Sequence, residues 1–174
     1  MITLLQIISE AAVSEGHDIK TSELHGLSQR GGSVEVHIRF GKKIFSPLVA
    51  KGKADLILAL EEQESLNGIY FANPKTSFLI NQFVIPIPLA KPANETEILG
   101  ELKKISKNIV LVPAEKICQE KLGNSVVSGI YLISLAAFRG LIPLSPNSIL
   151  NAIKKTVPGK YLELNEKAFE LAKN

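Results

Sequence analysis

The chain has 174 residues, 45% of them hydrophobic and none of them tryptophan, which is enough aliphatic material for one domain with a sizeable core. Its formal charge is +3, and the lysines are spread along the chain without interleaved aromatics, so nucleic-acid binding is not indicated. The single cysteine, Cys118, excludes an intramolecular disulfide and any CxxC metal knuckle, and its helical context reads as a buried structural thiol.

The N-terminal stretch MITLLQIISEAAVSEG has neither a basic leader region nor a small-residue cleavage site. Ile2, Leu4, Leu5, Ile8, Ala11 and Ala12 instead mark one face of an amphipathic helix, which Gly16 can close. HDIKTSE then reads as a strand. In VEVHIRF, Val34, Val36, Ile38 and Phe40 alternate with polar residues, the pattern of a half-buried strand. The following KIFSP is expected to return antiparallel to it, ended by Pro47. ADLILALE is a continuous apolar run, as in a strand covered on both faces. Gly68 to Asn73 and Gln82 to Pro88 read as two further strands.

ETEILGELKKIS predicts a charged helix with Glu101 paired to Lys104 or Lys103. NIVLVPAE predicts a buried strand, and KICQEKLG a helix ended by Gly123. From Asn124 onward the pattern is helical, with Ser145 as cap and Pro146 at the first position of one helix. The longest apolar run, Val126 to Phe138, falls short of the roughly 20 residues a bilayer needs. Together these point to a cytoplasmic protein with an α/β fold: three-layer and Rossmann-like, with a mainly parallel sheet, an antiparallel excursion and a helical C-terminal part.

The stretch TSELHGLSQRGGSV carries the clearest candidate chemistry. Gly31 and Gly32 let the backbone come close to a ligand, and Arg30 can pair bidentately with a carboxylate or phosphate. His25, Gly26 and Gln29 add directional hydrogen bonding beside it. The competing reading is a tight loop with an ordinary salt bridge. His17 reads as a surface residue, and His37, on the polar strand face, as a cross-strand partner and not a metal ligand. Glu61, with Glu62, stands at the C-terminal end of a strand, where open α/β sheets bind ligands; a solvated helix start is the bland alternative. Asn73 is placed at the end of the next strand on the same reasoning.

GHDIKTSELHGLSQRGGSVEVHIRFG resembles the gamma-type subunit of 2-oxoacid:ferredoxin oxidoreductases, and within that group the indolepyruvate ferredoxin oxidoreductase beta subunit. The likeness continues in SPLVAKGKADLILALEEQESL, KLGNSVVSGIYLISLAAFRGLIPLS and GKYLELNEKAFELA. Between residues 72 and 113 it lies more in pattern than in residues. The His-Gly-x-x-Gln-Arg-Gly-Gly form of the loop looks like the indolepyruvate branch; pyruvate and 2-oxoglutarate relatives usually carry Tyr-Gly-x-x-x-Arg-Gly-Gly.

The resemblance implies one gamma-type domain over residues 1–174 and conversion of a 2-oxoacid and coenzyme A to acyl-CoA and carbon dioxide, with electrons passed to ferredoxin. Thiamine diphosphate and the iron–sulfur clusters are then held by a larger partner subunit, this chain binds none of them alone, and coenzyme A is a co-substrate of the complex. His25, Gly26, Gln29, Arg30, Gly31 and Gly32 become a ligand or interface loop, with no catalytic residue and no metal ligand assigned. Relatives usually begin with a strand and a GxGGxG turn before the first helix, which this chain lacks. Either the start lies upstream, or the chain is a non-catalytic docking or scaffold paralogue. A missing strand would expose sheet edges that a homodimer in isolation could cover.

Overall fold

The computed structural model describes residues 2–25, 33–85 and 94–173. Helix α1 (Ile2–Ser14) leads into an antiparallel ribbon of β1 (Asp18–His25) and β2 (Val34–Gly41), paired from Asp18 opposite Gly41 to His25 opposite Val34. A parallel sheet follows in the order β3 (Leu56–Ala59), β4 (Ser77–Asn81), β5 (Ile109–Val112). Helix α2 (Glu95–Lys103) precedes β5, and α3 (Ala114–Leu122), α4 (Ser128–Phe138), α5 (Pro146–Thr156) and α6 (Gly159–Leu171) complete the chain.

Strand periodicity decides which core each side chain enters. Leu58, Leu79 and Val110 are neighbours across the register and face the large core built from α1 and α3 to α6. Ile57, Phe78 and Ile109, and one step on Ala59, Ile80 and Leu111, face the smaller core with Ile98 and Leu102 of α2. The parallel sheet is thus covered on both faces, the middle layer of three. Helix α4 runs through the large core with Ile130 to Ala137 all buried, which explains why its sequence is apolar on every side.

Local chemistry sets the helix ends. The Ser145 hydroxyl accepts from Ser148 N–H at 3.1 Å with Pro146 in the first turn. Gly123 closes α3 at φ +71°, a conformation costly for other residues. Asn94 and Glu97 form a reciprocal capping box on α2, and Lys104 pairs with Glu101 at 2.6 Å.

Three expectations from the sequence are corrected. The partner of β2 is β1; KIFSP belongs to an irregular excursion and forms no strand. Gly68 to Asn73 is no strand either, because residues Gln63–Phe71 form a 3₁₀ segment lying on β3. Gly68 permits this contact: a Cβ there would stand 2.8 Å from Ile57 Cγ2. The strand expected at Gln82 to Pro88 is not formed over residues 82–85, with residues 86–88 outside the described residues; the strand here is β4, Ser77–Asn81. Phe78 to Ile80 hold the fully buried positions.

Candidate functional site

The parallel strands β3, β4 and β5 all end on one side of the sheet, and that end is where polar side chains gather. Asn81, 1% exposed at the close of β4, donates from Nδ2 to the Leu60 carbonyl at 3.1 Å. Its Oδ1 accepts from Ala114 N–H at 3.0 Å. One amide therefore fixes the end of β3 and the start of α3 to β4. The residue before α3, Pro113, supplies no side-chain cap, so Asn81 serves that end, and burial raises the pKa of Glu115 in its first turn.

Glu61 lies in the turn after β3. Its Oε2 accepts from Glu64 N–H at 2.8 Å and its Oε1 from Ile85 N–H at 3.3 Å. Glu62 is more unusual. It is 4% exposed and its Oε1 has no hydrogen-bond partner among the described residues, while its backbone N–H bonds the Phe83 carbonyl at 2.9 Å. Desolvation, then the Glu95 and Glu61 carboxylates, raise its pKa above the ordinary glutamate value. Gln63 Nε2 is also buried without a partner among the described residues, and Gln82 donates to Glu95 at 2.6 Å.

His25 is the last residue of β1, in register with Val34, the first residue of β2. Gly26, Gln29, Arg30, Gly31 and Gly32 lie outside the described residues, as does the His25 side chain. Ser33, the first described residue after the loop, donates its hydroxyl to Glu64 Oε2, to which Asn67 also donates at 3.0 Å. Glu64 in turn bonds Glu61. Ser33, the residue that follows Gly32 in the sequence, is thereby tethered to the C-terminal end of the sheet.

Asn73 is not part of this end. Because the 3₁₀ segment carries the chain back across the sheet, Asn73 precedes β4 where the sequence reading put it after a strand. Its Nδ2 donates to the Gly52 carbonyl at 3.0 Å and its Oδ1 accepts from Lys75 N–H at 2.8 Å, so it organises the opposite end of the sheet. Sequence reasoning placed Glu62 with Glu61 at this strand end but passed over Asn81 and the Ser33 tether. The signal available for Asn81 was a polar residue closing the apolar run Phe-Leu-Ile.

The histidines and the cysteine have structural surroundings. His37, expected on a polar face, is 5% exposed. Its Nδ1 accepts from Val49 N–H at 2.9 Å, so the proton sits on Nε2 and is donated to Glu35 at 2.6 Å. The ring meets Phe71 edge-on at 4.8 Å. His17 is half-buried against Phe40, with ring centres 5.5 Å apart. Cys118 is buried, and desolvation followed by the Glu115 charge pushes its thiol up to about 11, the opposite of a reactive cysteine. No three metal-ligating side chains converge among the described residues.

The sequence profile of the family "Pyruvate ferredoxin/flavodoxin oxidoreductase" matches residues 1–174. Indolepyruvate oxidoreductase subunit IorB of Archaeoglobus fulgidus is 34% identical over 99% of this chain and 88% of its own length. The pyruvate/ketoisovalerate oxidoreductases common subunit gamma of Pyrococcus furiosus is 27% identical over 96% of this chain and 85% of its own. Among solved structures, the keto/oxoacid ferredoxin oxidoreductase gamma subunit from Geobacter sulfurreducens superposes with a TM-score of 0.67 at 21% identity, covering 99% of this chain and 88% of that one. The 2-oxoglutarate:ferredoxin oxidoreductase of Magnetococcus marinus contains the same fold within a much larger chain: the match covers 99% of this chain but 28% of that one, with a TM-score of 0.69 at 15% identity. The chain belongs to the pyruvate ferredoxin/flavodoxin oxidoreductase family.

Proposed function

We propose that this chain is the small, cluster-free subunit of a cytoplasmic 2-oxoacid:ferredoxin oxidoreductase acting on indolepyruvate or another aryl pyruvate. The observation that carries the reading is the end-to-end match, at 34% identity, with an indolepyruvate oxidoreductase subunit. In this account the complex decarboxylates the oxoacid oxidatively, transfers the acyl group to coenzyme A and passes the electrons to ferredoxin. The whole chain, residues 1–174, acts as one gamma-type domain.

Thiamine diphosphate and the iron–sulfur clusters belong to the larger subunit. Cluster ligation uses several thiolates, and the lone thiol of this chain is buried with its pKa pushed up to about 11. The contribution of this chain is a binding surface. Arg30, flanked by Gly31 and Gly32, meets an anionic group such as a coenzyme A phosphate, with His25, Gly26 and Gln29 as hydrogen-bonding neighbours. Support comes from the stem of that loop, which Ser33 and Glu64 hold beside Glu61 at the sheet's C-terminal end.

The test is purification with the thiamine-binding subunit, followed by turnover with indolepyruvate, pyruvate and 2-oxoglutarate in turn. Association with highest kcat/KM for indolepyruvate is expected. Association with preference for 2-oxoglutarate would overturn the substrate, and a partner that binds this chain but turns over equally well without it would leave a non-catalytic docking or scaffold paralogue.

A further inference from the structure

Between β2 and β3 the chain runs through KKIFSPLVAKGK, residues 42–53, which contains lysines at 42, 43, 51 and 53 and no acidic residue. Phe45 is 81% exposed and Leu48 51%, and Tyr70 of the adjoining 3₁₀ segment is 59% exposed. Lys43 stands over the Phe45 ring at 5.0 Å and Lys51 over the Tyr70 ring at 5.7 Å. Apolar rings fringed by cations would contribute nothing to the core from these positions.

The excursion is nevertheless fastened along its length. Asp18 Oδ2 accepts from Ile44 N–H at 2.8 Å, Arg39 donates to the Ser46 carbonyl at 2.9 Å, and buried His37 takes Val49 N–H at 2.9 Å. Gly52 N–H bonds the Tyr70 carbonyl at 3.2 Å, and Ala54 N–H the Phe71 carbonyl at 2.9 Å. A segment held this way presents its rings in a fixed arrangement, so little ordering entropy is lost on binding. Of the nearby acids, Asp18 is engaged by Ile44 and Glu35 by His37, and exposed Asp55 follows the excursion without an ion pair to these lysines among the described residues. None of the four lysines makes an ion pair among the described residues. Aromatic anchors within a polar, positively charged fringe match the anatomy of a protein interface whose partner is acidic.

We propose that residues 42–53 together with Tyr70 form the docking surface for the larger subunit, which meets them with an apolar depression ringed by carboxylates. This rests on the subunit reading above and adds to it the face through which assembly occurs. The test is the affinity between this chain and the thiamine-binding subunit of the same organism, measured at about 0.05 M and about 0.5 M salt. The variants are Phe45→Ala, Leu48→Ser and the double reversal Lys43→Glu/Lys51→Glu.

Each variant is expected to weaken assembly roughly tenfold or more while leaving the melting temperature unchanged, since the replaced side chains are exposed. The double reversal should slow association chiefly at low salt, and Phe45→Ala should speed dissociation. Folded variants that assemble like wild type overturn the docking surface alone. A wild-type chain that fails to assemble overturns the subunit reading and this inference with it. Loss of a homodimer with heteromeric assembly intact would reassign the surface to a second copy.

Discussion

Arg30 and Glu62 illustrate two ways in which a single side chain can matter at this site. Arg30 is a functional prediction: in the assembled enzyme Arg30→Ala should raise the KM for coenzyme A roughly tenfold to a hundredfold, the scale of one lost charge-assisted contact. Its melting temperature should match wild type, and unchanged kinetics would reduce the turn to a structural loop. Glu62 is a stability prediction. Its folded-state pKa is raised by burial, so the folded protein holds that proton more tightly than the unfolded chain. Stability is therefore lost as pH rises from the ordinary glutamate value through the raised one, and is unaffected below. Glu62→Gln should flatten this dependence and stabilise at pH 8 by on the order of 1 kcal/mol, with no gain at pH 4. Equal effects at both pH values, read by chemical denaturation, would contradict the assignment.

At the scale of elements, the amide of Asn81 joins the ends of β3 and β4 to α3. Asn81→Ala should cost roughly 2–3 kcal/mol, because a buried carbonyl and a buried N–H lose their partner together. A denaturation midpoint like that of wild type would show that another group takes over. That clamp was hidden in the sequence because its partners lie 21 and 33 residues away. By contrast, the cap of α5 was legible in Ser145-Pro146 and the burial of α4 in its unbroken apolar run, since both depend on neighbours along the chain. The apolar run Gly68 to Asn73 fits strand and helix alike, and only contact with Ile57 reveals why Gly68 favours the 3₁₀ segment. Gly68→Ala should therefore destabilise by about 1–3 kcal/mol through overpacking against β3, measured as a lower melting temperature. The candidate site divides in the same way. Arg30 and its glycines stood out as residue types, and Glu61 as a strand end. Asn73 was misassigned because the path of the chain after β3 was.

For the whole molecule, the ribbon, the parallel sheet and its two helical layers make a fold shared with gamma-type subunits, and no helix among the described residues is long and apolar enough to cross a membrane. What this fold offers is a sheet end beside the Arg-Gly-Gly stem and a fastened, lysine-fringed excursion on the β2–β3 side. Under the proposed function, both serve a complex whose redox chemistry comes from another subunit. The central claim is that oxoacid oxidation needs this chain, and the most direct measurement is reconstitution. Purified thiamine-binding subunit is titrated with this chain while indolepyruvate- and coenzyme A-dependent dye reduction is followed. The account predicts negligible turnover at the start and a rise that saturates at a fixed stoichiometry. Full turnover before any of this chain is added would contradict it.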